Sequence, residues 1–264
     1  MAERLVAVPG VHAVALGGSR ARGSHRPDSD WDLGVYYRDA PDVAALASLA
    51  AEFTGKAVEV AGPGGWGPWV DGGAWLSVDG TAVDWILRDL DRVEGVWRGC
   101  LAGRFEVGVQ PGHPLGFWSP AYAGEAALCR VLADPSGVLT RLRSEARHYP
   151  EPLREALVEA AWEADFLVAS ACKSVGAGDV LHVALCLSRA FGVLAQAMLA
   201  HARVWCLNEK GALASAARVA CAPDDFTDRT ARALGGLDRD AVEAAGALVN
   251  EVRERMAAPA PPTG

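Results

Sequence analysis

A chain of 264 residues, 51% apolar and 22% charged, has the balance of a folded globular protein and is too hydrophobic for a disordered one. At roughly 150 residues per domain, it has room for one large domain or two modest ones. Its 25 Lys and Arg against 33 Asp and Glu leave a net charge of −8, the wrong sign for neutralising phosphates along a nucleic-acid polymer and better suited to a cationic small molecule or a protein partner.

The opening Met1-Ala-Glu-Arg-Leu5 lacks the basic start and apolar stretch of a secretory leader, so a cytoplasmic location is expected. Val11 to Leu16 reads as a short apolar strand ending at Gly17-Gly18, and Asp32 to Tyr37 as a second strand. Pro41 to Phe53 is alanine-rich and helical. Gly62 to Gly73 is a glycine-rich loop holding Trp66 and Trp69. One of these could stack on a base or a sugar, or be tucked inward beneath a surface connection. The loop lacks the Gly-Lys-Ser/Thr ending of a P-loop. Trp75 to Val78 and Thr81 to Leu87 flank Asp79-Gly80, a two-residue hairpin signal because both turn positions want positive φ.

From Asp91 onward the apolar spacing is helical: Arg92 to Leu101, Ala121 to Leu132, Ser136 to Arg147, Pro152 to Ser174, Asp179 to Cys206 and Arg239 to Met256. The run from Val180 to Leu207 is interrupted by His182, Arg189, Gln196, His201 and Arg203, so no membrane span is expected there. The six cysteines, Cys100, Cys129, Cys172, Cys186, Cys206 and Cys221, form no Cys-x-x-Cys pair, which suits reduced and mostly buried thiols. This single change of texture along the chain predicts an α+β N-terminal domain over 1–105, a helical substrate-binding domain over 106–256 and a disordered tail over 257–264.

The chemistry is concentrated between Leu16 and Leu33. Glycines at 17 and 18 let backbone approach a ligand closely, and Ser19 opening a short helix offers a hydroxyl and N–H donors to phosphate oxygens. Asp30 and Asp32, two apart at a strand start, project from one face and can share divalent cations; hard carboxylate oxygens suit Mg²⁺. A third acid is expected on a neighbouring strand. Asp84, between the apolar Val83 and Trp85, faces the cleft if those two face the core, whereas Asp79 is taken by the turn and Asp89 lies past the strand. The bland alternative is a strand, a glycine turn and solvated acids.

Gly18-Ser-Arg-Ala-Arg-Gly23 followed by Ser29-Asp-Trp-Asp-Leu33 resembles the nucleotidyltransferase superfamily that includes DNA polymerase β, and within it the minimal and the antibiotic nucleotidyltransferases. The motif resemblance spans roughly residues 11 to 90. It implies a polymerase-β-like mixed sheet with flanking helices, followed by an all-helical domain with the active site in the cleft between. It also implies transfer of a nucleoside monophosphate, AMP from ATP, to a hydroxyl of a small and cationic acceptor such as an aminoglycoside, with release of pyrophosphate and the help of two Mg²⁺ ions. Asp30, Asp32 and Asp84 would hold the metals, with Asp84 alternatively taking the hydroxyl proton; Gly18, Ser19, Arg22 and Lys210 would bind the nucleotide. A protein acceptor, as in adenylylating antitoxins, and a catalytically silent nucleotide-binding regulator are the alternatives. Neither a nucleic-acid polymer nor a membrane is an expected partner.

Other residues have plainer readings beside the sharper ones. Arg22 is either a phosphate ligand or a solvated helix arginine, and Lys210 either reaches the triphosphate or follows its helix into solvent. Arg189, in an apolar helix, needs an acid, with Glu163 or Asp165 in reach. Glu151, Glu155, Glu159 and Glu163 recur every four residues, as a solvated face neutralised by arginines or as a wall that attracts a polycation. His182 and Cys186, four apart, are too few for a metal and read as core.

Overall fold

A computed structural model describes residues 1–258. They fall into two compact units, Met1–Cys100 with Phe105–His148, and Leu101–Arg104 with the chain from Tyr149 onward. The first unit is α+β and the second helical. In chain order the first carries α1 (Ala2–Leu5), β1 (Val11–Leu16), α2 (Gly18–Ala21), β2 (Trp31–Tyr37), α3 (Val43–Thr54), β3 (Gly73–Val78), β4 (Thr81–Asp89), α4 (Leu90–Leu101), β5 (Val107–Gln110), β6 (His113–Trp118), α5 (Pro120–Leu128), β7 (Arg130–Ala133) and α6 (Val138–Ala146).

Five of these strands form one sheet in the order β3-β4-β2-β1-β7, and β5 with β6 forms a separate hairpin. β2 and β4 run parallel, while the β1–β2, β3–β4 and β1–β7 pairs are antiparallel. Strand alternation divides the sheet into two faces. Leu33, Val35 and Tyr37 of β2 and Val83, Trp85 and Leu87 of β4 point into a core closed by Leu46, Leu49 and Ala50 of α3. That helix starts where Asp42 accepts a hydrogen bond from the Ala45 N–H at 3.0 Å, and it ends at Gly55 in the left-handed conformation. The hairpin joining β3 and β4 turns at Asp79 and Gly80 with φ of 50° and 77°, the two positive angles that this turn demands.

The boundary expected at residue 105 falls instead near 148. The cause is β7: its residues continue the apolar spacing of the preceding helix, yet the backbone turns extended at Cys129 (φ −68°, ψ 159°) and pairs Val131 with Ala15 of β1. The expected helix Ala121 to Leu132 is therefore α5 plus an edge strand that closes the sheet, and α5 and α6 belong to the first unit.

In the second unit lie α7 (Glu151–Glu159), α8 (Trp162–Val175), α9 (Val180–His201), α10 (Ala212–Ala216), α11 (Phe226–Gly236) and α12 (Arg239–Ala257). Leu187, Phe191, Leu194 and Met198 of α9 form its core with Ala164 and Ala171 of α8 and Val242, Leu248 and Val252 of α12. By length and apolarity alone α9 could cross a membrane, but 72% of its most apolar stretch is buried inside the protein, as a core helix requires. The tail expected over 257–264 lies outside the described residues from 259 on; Ala257 is the last residue of α12.

The helix expected from Pro152 to Ser174 breaks at Ala160-Ala161, so the four glutamates do not share one face. Glu151 pairs with Arg154 and Arg203, Glu155 with Arg154, and Glu163 with Arg189 at 2.8 Å. Three of the four glutamates are thus engaged by arginines, which favours the neutralised solvated face over an acidic wall for a polycation. Asp165 is taken by Arg253. His182 hydrogen-bonds Ser174 at 2.8 Å beside Cys186, and all six cysteines are free thiols.

Candidate active site

The face of the first sheet opposite the α3 core carries the predicted site residues. Parallel register sets Asp32 of β2 directly beside Asp84 of β4, with neighbouring strands about 4.8 Å apart. On the β1 side, the Gly17 N–H donates to the Asp32 carbonyl at 2.7 Å. On the other side, antiparallel register sets Trp75 of β3 beside Asp84. Gly17, Asp32, Asp84 and Trp75 therefore form one row across four strands at the end of the sheet.

Asp30 sits one residue before β2 and is exposed. Its loop is clamped by Arg20, whose Nε and Nη2 donate to the Ser29 carbonyl at 2.9 and 2.7 Å and whose guanidinium lies 4.5 Å over the Trp31 ring. Arg20, which nothing in the spacing singled out, thus fixes the height at which Asp30 meets the row. Arg22 folds back, its Nε on the Gly18 carbonyl at 3.2 Å, at the lip of the turn. Lys210 lies in the second unit, exposed, with its backbone N–H on the Asn208 side chain at 3.0 Å.

Asp84 is half-buried, and its carboxyl is pushed up from 3.8 to about 6, first by burial and then by the charges of Asp32 and Asp30. Among the described residues it makes no side-chain hydrogen bond or ion pair that would lower it. Three acids of one sign have been brought together, and their mutual repulsion is an arrangement that a protein keeps at the expense of stability. Among the described residues no three His, Cys, Asp or Glu side chains enclose an ion position. Mg²⁺ is commonly bound by one or two carboxylates and completes its shell with water and substrate phosphates. The hard carboxylate oxygens of Asp30, Asp32 and Asp84 fit Mg²⁺ arriving with a nucleotide.

The turn itself is shaped around Asp32. Gly18 has φ +60°, and a Cβ there would lie 1.7 Å from Asp32 Oδ2. α2 is a single turn, and the Ser19 hydroxyl, second in it, makes no hydrogen bond among the described residues. Gly18→Ala is expected to lower turnover about 10²-fold, because displacing a reacting group by about 1 Å costs that much. A Tm that no longer rises with Mg²⁺ would accompany the loss, and steady-state rates with thermal scans check both.

A second expectation concerns stability. The folded protein holds the Asp84 proton more tightly than the unfolded chain does. The ionised group therefore opposes folding in full above about pH 6, less as pH falls towards 3.8, and not at all below. The difference between 3.8 and about 6 corresponds to about 3 kcal/mol, reduced to about 1 kcal/mol by solvent screening of a half-open group. Asp84→Asn should raise Tm by about 2–4 °C at pH 7.5, with the gain gone near pH 4; a pH series of melting curves would contradict this if the gain were flat.

Residues 2–60 match the family model described as polymerase beta, nucleotidyltransferase. The match supports a nucleotidyltransferase domain at the N-terminal end of the chain. The matched span of this nucleotidyltransferase domain includes β1, the glycine turn and both acids of Asp30-Trp-Asp32, and stops short of Asp84. Among solved structures the chain is similar to a nucleotidyltransferase-like protein from Exiguobacterium sibiricum, with 12% identity, 96% of this chain and 71% of that chain covered, and a TM-score of 0.47. No curated protein matches the sequence.

Proposed function

We propose that the protein is a nucleotidyltransferase that uses Mg²⁺ to move AMP from ATP to a hydroxyl of a small cationic acceptor, such as an aminoglycoside-like compound, releasing pyrophosphate. The observation that carries the reading is the register pair Asp32–Asp84 with Asp30 beside it, three acids on one face, with burial first and their mutual charge second raising the Asp84 carboxyl to about 6. Binding a nucleotide for regulation alone needs no such convergence of like charge.

Asp30, Asp32 and Asp84 would hold two Mg²⁺ ions. When bound, the ions neutralise phosphate charge and stabilise the attacking and leaving oxygens. Gly17 and Gly18 allow the triphosphate close to the backbone, with the Ser19 hydroxyl as a donor to its oxygens and Arg22 at the lip. In the transfer, the acceptor oxygen forms a bond to the α-phosphorus while the bond from that phosphorus to the bridging oxygen breaks, and pyrophosphate leaves with the electron pair. The acceptor's proton goes to a carboxylate or to water. Asp84 has the proton affinity for this, and the same affinity lets it take a cation in the proton's place.

The test is pyrophosphate release with Mg²⁺, each of the four ribonucleoside triphosphates, and a panel of aminoglycosides, lincosamides and other hydroxylated amines, with products read by mass. A product heavier by one nucleotide, absent with Asp32→Asn, establishes base and acceptor class together. Mg²⁺-dependent nucleotide binding without release from any mixture overturns the small-acceptor reading in favour of a protein acceptor or a nucleotide sensor.

A further inference from the structure

Trp75 is anomalous for a soluble strand. The alternation of β3 buries Ala74 and Leu76 in the α3-side core, so position 75 is an outward slot where a polar residue is the norm. The indole instead stands 68% exposed. One of its faces is covered by Trp66, whose ring is stacked on it at 4.2 Å and 14°; the exposure leaves the other open.

The stack is braced from beneath. Trp66 rides on the glycine-rich loop, which Gln110 of β5 pins from a buried position (4% exposed). Gln110 Oε1 accepts from the Trp69 and Val70 N–H groups at 2.8 and 2.9 Å, and its Nε2 donates to the Trp66 carbonyl at 2.9 Å. Asp71 closes the loop by accepting from the Gly64 N–H at 2.9 Å and from the Tyr37 hydroxyl. An exposed ring held this rigidly loses little entropy when something lies on it.

Its place in the row says what that would be. Trp75 is the cross-strand partner of Asp84, so its Cβ lies about 5 Å from that of Asp84. The glycine turn lies at the opposite end of the same row, beyond Asp32. In an in-line displacement the nucleophile enters opposite the leaving group. With the departing phosphates at the turn, the acceptor enters from the Trp75 side. We infer that Trp75, backed by Trp66, is the acceptor platform of this site, and that it takes an amino-substituted sugar or cyclitol ring laid flat on the indole. The C–H face of such a ring packs on the aromatic surface, its ammonium groups are drawn to the π face and the neighbouring carboxylates, and a hydroxyl is brought to Asp84.

The inference rests on the transferase reading, and the experiment separates the two. Kanamycin, streptomycin and glucosamine are titrated calorimetrically into the full chain with Mg²⁺ and a non-hydrolysable ATP analogue present, for wild type, Trp75→Phe and Trp75→Ala. At least one sugar is expected to bind wild type, to bind Trp75→Ala about 10-fold or more weakly, and to be largely restored by Trp75→Phe, with the affinity for the ATP analogue unchanged throughout. Because the side chain is exposed, all three proteins should melt together. Equal sugar affinity in wild type and Trp75→Ala, no sugar binding to wild type, or a loss that falls on the ATP analogue would each overturn the platform. Failure of the transferase reading shows differently: the Trp75-dependent binding persists while wild type yields no nucleotidylated product.

Discussion

Asp32→Asn is expected to reduce metal-dependent pyrophosphate release on the order of 10³-fold, with the fold intact, as befits removal of a charged group that acts on the reacting centre. Asparagine has the same shape, so the ladder bond from Gly17 to the residue 32 carbonyl and the close packing of Gly18 against the side chain both survive. What goes is the charge at the centre of the row. Two readouts beyond activity identify that loss. Mg²⁺ should raise the Tm of wild type by mass action and leave that of the variant almost unmoved. In addition, Asp84 should titrate closer to its ordinary value, since Asp32 is the larger of the two charges that raise it. Turnover within a few-fold of wild type would remove Asp32 from the site.

The parts of the site that are local in sequence were legible there. A glycine turn after an apolar strand, two acids spaced to one face and an acid alternating with Val83 and Trp85 are all readable from period two, and the register then sets Asp32 and Asp84 side by side. Arg189 with Glu163 was legible for a similar reason, since a charge in an apolar helix must find an opposite one. The illegible parts depend on what a segment meets in space. β7 has the composition of a helix end and becomes a strand because β1 offers it an open edge. The break at Ala160-Ala161 has no proline or glycine to announce it. Trp75 did leave a trace, a large aromatic in the outward slot of an alternating strand, but its meaning needs the register to Asp84 and the loop that delivers Trp66.

Glu125→Ala is expected to cost about 3–5 kcal/mol of stability, among the largest effects of any single side chain in the first unit. Arg88 is the cross-strand partner of Tyr36, four residues along β4 from Asp84 and on the same face. It is 4% exposed. Burial opposes its charge, but Glu125 more than compensates and holds the guanidinium firmly protonated. The pair is bidentate, with Nε and Nη2 on the two carboxylate oxygens at 2.7 and 2.8 Å, while Nη1 donates to the Leu87 carbonyl at 3.2 Å. Removing the carboxylate strands a buried cation, whereas removing both charges does not. Arg88→Met combined with Glu125→Leu should therefore recover most of the stability lost in Glu125→Ala, and melting curves of the two proteins decide the matter. If Glu125→Ala melts within a degree or two of wild type, the pair is not what secures α5 to the sheet. If it falls by about 10 °C or more and the double variant recovers, the bidentate pair is what ties α5 to β4 on the face where Asp84 also stands, and its worth lies in never leaving the Arg88 cation alone.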